Sequence, residues 1–154
     1  MCLIVDTNLA AAVFGSPPQN DFYPIIDWLM SRKKIGRLVV GGRLSRELDR
    51  VSSVRRFIRV LQQAGRVRVI PSVETDSEIT RIADLCVSDD PHIIALARIS
   101  GARVLCSRDN NLHRDFTNTR LISDPKGRVY QKAAHFNLLR RFGHTEACKK
   151  SMGG

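Results

Sequence analysis

No apolar run in this chain approaches the roughly 18–20 residues that a membrane span requires. No basic segment followed by an apolar one opens it, so neither a membrane anchor nor a secretory leader is expected. Its four cysteines, Cys2, Cys86, Cys106 and Cys148, are widely spaced and form no C-x-x-C pair, which argues against zinc knuckles and redox motifs. His92, His113, His135 and His144 show no H-x-x-x-H spacing and read as structural or surface residues. Internal repeats, low-complexity tracts and linkers are also missing. Cys2 and Cys106 fall in apolar runs and read as free core thiols, so a reducing cytoplasm is the expected compartment.

What is present describes one ordinary domain over 1–154. At 43% hydrophobic residues, its 154 residues can build a real core. The net charge is +10, from 25 basic and 15 acidic residues, and most of the basic ones are arginine. Arginine grips phosphate through a planar fork of donors, whereas lysine acts as a point charge. The bias favours a polyanionic partner, nucleic acid before others. Arg32–Lys34, Arg55/Arg56/Arg59, Arg140/Arg141 and Lys149/Lys150 are the basic groups that could guide it. For Arg55–Arg59, on an amphipathic helix, a plain solvated face is the better reading.

Strand and helix patterns alternate along the chain. Cys2–Val5, Leu38–Val40, Val67–Ile70 and Arg103–Cys106 read as strands, with Leu121-Ile122 as a fifth, edge strand. Helical spacing runs over Thr7–Phe14, Phe22–Arg32, Arg43–Val51, Val54–Ala64, Ala133–Phe142 and the stretch after Pro91. Thr75–Cys86 opens with a capping-box pattern, Thr75 with Glu78. Asn110–Phe116 suits one or two helical turns, and 144–154 reads as a frayed tail. This alternation predicts an α/β domain with a largely parallel sheet. Open sheets of that kind bind ligands beyond the C-terminal ends of their strands.

Acids gather where such a sheet would open. Asp6 follows the first strand, Glu47 lies on the helix after the second, Asp90 stands at a helix start, and Asp109 follows the fourth strand. Unpaired carboxylates brought together repel. A hard divalent cation relieves that repulsion and can activate water for attack on a phosphodiester. Each acid also has an ordinary reading. Asp6, Asp89 and Asp90 could cap helices, Glu47 could pair with neighbouring arginines, and Asp109 could be a turn residue.

Taken together, the segments IVDTN (Val5–Asn8 at its end), RELDRV with Glu47, and D-x-x-I-I-A-L-A followed by G-A, a strand and S-x-D (Asp90 to Asp109) resemble the PIN-domain family of ribonucleases. That family includes the VapC-like toxins among its small bacterial members. The resemblance covers residues 2 to about 116. It implies a three-layer α/β/α fold with a core over about 2–124, followed by a C-terminal helix and basic tail over 133–154. It also implies an acidic pocket holding one or two Mg²⁺ or Mn²⁺ ions. Asp6, Glu47, Asp90 and Asp109 match the family's acid positions, and Asp115 matches a further acid of some members. Glu47 is the loosest match, with Glu74 and Glu78 as other candidates. Thr7, Asn8, Ser107 and Arg108 match polar positions around those acids. The implied reaction is metal-dependent hydrolysis of RNA, leaving a 3′-hydroxyl and a 5′-phosphate. The implied partners are RNA, an antitoxin protein and a second copy of the chain. The rival reading is a noncatalytic RNA-binding or assembly module on the same fold. A phosphatase of the haloacid dehalogenase type would need an aspartate where this chain has Asn8, and a receiver domain would need its acidic doublet after the first strand.

Overall fold

The computed structural model describes residues 2–32, 36–141 and 148. Five strands form one sheet: β1 (Cys2–Val5), β2 (Arg37–Gly41), β3 (Val67–Ile70), β4 (Val104–Cys106) and β5 (Arg128–Val129). The order is β3-β2-β1-β4-β5 and every neighbouring pair is parallel. β1 is flanked on both sides, Leu3 pairing with Leu38 of β2 and with Val104 of β4. All four of its residues are buried, as expected for a central parallel strand covered on both faces.

Crossovers carry the helices. α1 (Thr7–Phe14) and α2 (Tyr23–Met30) join β1 to β2, and α3 (Gly42–Asp49) and α4 (Ser52–Gln63) join β2 to β3. The chain then crosses back to β4 through α5 (Ser72–Ile82) and α6 (Pro91–Ser100), and α7 (Asn110–Phe116) leads to β5. A short α8 (Leu138–Arg141) follows. Strand order descends from β1 to β3 and ascends from β4 to β5, so right-handed crossovers place the two helix sets on opposite faces. The reversal falls between β1 and β4, where their C-terminal ends diverge and leave a crevice.

α6 is the helix most deeply packed on the sheet. Pro91 starts it, where a missing N–H does no harm, and Gly101 ends it in the left-handed region at φ 78°. Ile93, Ile94 and Leu96 are fully buried, each contributing about 1.5–3 kcal/mol relative to exposure. Two arginines satisfy carbonyls at its C-terminus, Arg103 donating to Ala97 at 2.9 Å and Arg68 to Ser100 at 2.7 Å. Both also suit the negative end of the helix dipole.

Several sequence expectations shift. The fifth strand is Arg128–Val129 rather than Leu121-Ile122. Leu121 and Ile122 are buried, but they close a loop over the core instead of pairing. The capping box at Thr75 does not form. α5 begins earlier, at Ser72 after Pro71, and the Thr75 hydroxyl donates to the Pro71 carbonyl at 3.3 Å. The Phe22–Arg32 helix divides into a 3-10 turn over Asn20–Phe22 and α2, and the Ala133–Phe142 helix into a turn over Ala133–His135 and α8. Cys2 is buried but is not a free thiol, because it is disulfide-bonded to Cys148. Apart from Cys148, the expected tail lies outside the described residues, as do Lys33, Lys34, Lys149 and Lys150. Among the described residues, no helix is long and apolar enough to cross a membrane.

Gly127 fixes how β5 enters the sheet. A Cβ there would stand 2.0 Å from the Phe116 carbonyl oxygen and 2.7 Å from its ring. Gly127→Ala should therefore push β5 off α7 and destabilise the protein by about 1–3 kcal/mol, read from chemical denaturation.

Candidate active site

The crevice at the β1–β4 reversal is built from the first residues after each strand. Leaving β1, the chain passes directly into α1, with Asp6 at its N-cap accepting from the Thr7 amide at 2.7 Å. The Asp6 amide donates to the Cys106 carbonyl at 2.8 Å, so this acid is fastened to β4 by its backbone. Its other oxygen accepts from the Ser107 hydroxyl at 2.8 Å. Ser107 also accepts from the Asp109 amide at 3.1 Å and from the Asn8 side-chain amide at 3.4 Å. The Asn8 oxygen in turn accepts from the Arg108 amide at 3.2 Å. One hydroxyl thus ties the start of α1 to the loop after β4.

Glu47 reaches the same place from β2. Gly42, at φ 49°, lets α3 leave the strand without a loop, a conformation glycine adopts at no steric cost. One turn on, Glu47 accepts from the Thr7 hydroxyl and from Arg43 Nε, each at 2.8 Å. Burial pushes its carboxyl up, but those two hydrogen bonds and nearby positive charge outweigh it and leave it below the usual range. Of the two alternatives to Glu47, Glu78 is paired with Arg98 at 2.6 Å, and Glu74 lies in the first turn of α5.

Asp90 precedes α6 and makes no side-chain cap. Its amide donates to the Ser88 hydroxyl at 3.3 Å. Asp6 feels the charges of both Asp90 and Glu47. Burial raises the Asp6 carboxyl above its ordinary value, Ser107 and Thr7 pull it down, and the charges of Asp90 and Glu47 push it up. Among the described residues, no arginine or lysine pairs with Asp6 or Asp90.

The other two acids are differently engaged. The Asp109 carboxylate caps α7, accepting from the Asn111 and Leu112 amides at 2.9 and 3.3 Å. Asp115 is buried, and its two oxygens accept from the Val87 and Ser88 amides, each at 2.9 Å. It therefore holds the loop that carries Asp89 and Asp90. Its charge, after burial, helps push the Cys86 thiol up to about 11, so Cys86 is not a thiolate at neutral pH.

Among the described residues, no three Asp, Glu, His or Cys side chains are grouped so that they could hold a metal ion together. The donor set still suits Mg²⁺ in kind, since that ion keeps several waters and binds through one or two carboxylates plus a substrate phosphate. Asp6 and Asp90, unpaired and mutually repelling, are the two that would hold it.

His92, expected to be a structural or surface residue, is buried, and neither ring nitrogen has a hydrogen-bond partner. Its Nδ1 lies 3.9 Å from an Asp90 oxygen. Burial lowers its pKa, Asp90 and Glu47 raise it, and Arg43 and Arg46 lower it again. The spacing Asp90–His92 on the first turn of a helix was the available signal.

Thr7→Val removes one hydrogen bond from Glu47 and leaves Arg43 in place. Supporting contacts around a metal or catalytic carboxylate are typically worth about 10–100-fold. An activity loss of about tenfold with an unchanged melting temperature is expected, measured as kcat on the best substrate.

No family model matches the chain, and no curated protein matches it. Among solved structures, the crystal structure of VapBC2 from Rickettsia felis bound to a DNA fragment from their promoter aligns with 86% of this chain and 99% of that one. The identity is 13% and the TM-score 0.47, a likeness at which a shared fold is not established.

Proposed function

We propose that the chain is a divalent-metal-dependent endoribonuclease, hydrolysing RNA phosphodiester bonds at Asp6, Asp90 and Glu47. The observation that carries this reading is the Asp6 carboxylate, raised by burial and then by its acidic neighbours, and paired with no arginine or lysine among the described residues. Such a group is costly to keep ionised unless a cation and an anionic substrate complete it. A bound Mg²⁺ or Mn²⁺ supplies Lewis acidity and lowers the pKa of water. Asp6 and Asp90 would hold it, with Ser107 fixing the Asp6 rotamer and Thr7 and Arg43 fixing Glu47. Asp109 supports the site through its amide on Ser107 and through the α7 cap. The net charge of +10 favours a polyanionic substrate.

The test is cleavage of a mixed RNA panel in Mg²⁺, Mn²⁺ or EDTA by wild type and Asp90→Asn. Metal-dependent cutting lost in the variant is expected. Tight, salt-sensitive RNA binding without cutting in any metal would overturn the reading. It would put the noncatalytic RNA-binding module in front, a reading favoured by one observation, that one oxygen of the Asp109 carboxylate is taken up by the α7 cap.

The toxin role, with an antitoxin protein and a homodimer as partners, rests on the motif resemblance and is proposed on that ground. Expression of wild type in a bacterium should arrest growth, and expression of Asp90→Asn should not.

A further inference from the structure

A cleft of about 280 Å³ opens beside the acids, with Ser107 in its lining. Because the Ser107 hydroxyl is 2.8 Å from Asp6, an RNA strand with a phosphate at the acids lays an adjoining nucleotide over this cleft. Leu9 and Phe22, both buried, contribute its apolar part, and Gln19, Asn110, Gln131 and Arg108 are exposed along it. No hydrogen bond or ion pair among the described residues engages those four side chains, although the backbone that carries three of them is pinned. Gln19 donates its amide to the Ala12 carbonyl at 2.9 Å, and Gln131 donates its amide to His135 Nδ1 at 3.0 Å. Asn110 opens α7 directly after the Asp109 cap. Asp21 joins the two walls, its carboxylate accepting from the Ala133 amide at 3.2 Å and its carbonyl from the Tyr130 hydroxyl at 2.7 Å.

The chemistry of this rim separates base from phosphate. A phosphate only accepts hydrogen bonds and calls for cations. Here three neutral carboxamides, each both donor and acceptor, stand with one arginine, the Asp21 carboxylate and His113, whose Nε2 is taken up by the Ser107 carbonyl. Carboxamides match the mixed donor and acceptor edges of nucleobases. Single-stranded RNA is read in this way, by unstacked bases set against apolar surface and hydrogen-bonded on their edges.

Resting on the nuclease reading above, we infer that this cleft is a base-reading subsite, in which Gln19, Asn110 and Gln131 select the nucleotide flanking the scissile phosphate. Arg108 holds the neighbouring backbone and carries no base choice.

The experiment is fluorescence polarisation, in EDTA, of labelled rA, rC, rG and rU octamers on Asp6→Asn protein, whose cutting is expected to be strongly reduced. The expected result is a Kd spread of about tenfold or more between the best and worst octamer. Adding Gln19→Ala and Gln131→Ala should collapse that spread to about twofold or less by weakening the best octamer. Adding Arg108→Ala should weaken all four alike and flatten the salt dependence. An undiminished spread in the glutamine variants overturns the proposal, as does RNA binding with no spread at all, and the nuclease reading survives both. Absence of RNA binding in the Asp6→Asn parent, with wild type uncut in every metal, overturns both. Because these side chains are exposed and unengaged, each variant should fold as its parent does, and unchanged melting checks this.

Discussion

Asp6→Asn is expected to lower RNA cleavage by at least about 10²-fold, beyond what loss of a supporting contact produces. The same substitution should raise the melting temperature of the metal-free protein at neutral pH. The two effects have one cause. Burial, with the charges of Asp90 and Glu47, raises the folded-state pKa of Asp6 above 3.8. A carboxyl raised in the fold contributes stability that is present below its unfolded pKa and lost as pH rises through the folded one. At pH 7 the ionised Asp6 therefore subtracts from stability, and asparagine does not. Asparagine still accepts from the Thr7 amide, and its amino group can face the Ser107 oxygen. Thermal melts of both proteins in EDTA from pH 3 to 8 check the sign. The variant's advantage should be largest near pH 7 and vanish below about pH 3.8. A wild type more stable than Asp6→Asn across that range would show that the acid group is not self-repulsive.

For stability, the largest expected loss comes from Asp115→Ala. The substitution leaves the Val87 and Ser88 amides without their acceptor, the Ser88 amide in a buried place, and removes a buried side chain. Each unsatisfied buried group costs about 1–3 kcal/mol, so a loss of about 2–5 kcal/mol is expected in urea denaturation. The effect should also reach the chemistry. Ser88, held by Asp115 at one end, accepts from the Asp90 amide at the other. Faster amide exchange at Val87 and Ser88, with reduced cleavage in the folded variant, is the signature of an acid that works by positioning Asp90.

Most of the sheet was legible because β1, β4 and the middle of β2 are short apolar runs separated by helical spacings. Cys2–Val5 and Val104–Cys106 could be nothing else, and their parallel pairing brings Asp6 and Ser107 side by side. β5 was not legible, since Arg128-Val129 is too short to show a period, and buried Leu121-Ile122 mimicked a strand while packing under a loop. That error hid Gln131, which follows the true β5 and so stands at the C-terminal edge of the sheet. The acids were legible as a set, but their separate tasks were not. Nothing in the order of residues distinguishes Asp109 as a cap, or Asp115 as an anchor for backbone amides, from a free carboxylate. The arginine excess was also only partly about a partner. Arg68 and Arg103 close the end of α6, and Arg98 joins Glu78 to the Leu121 carbonyl.

The bond between Cys2 and Cys148 spans 146 residues and makes the chain a near-complete ring. A protease that nicks any one exposed turn inside that span leaves two pieces still covalently joined. They would run as one band on a gel until a reductant is added. Tension applied at the two termini would pass through the sulfur bridge and not through the sheet, so the β1–β4 crevice would keep its shape under a pull that opens the reduced protein.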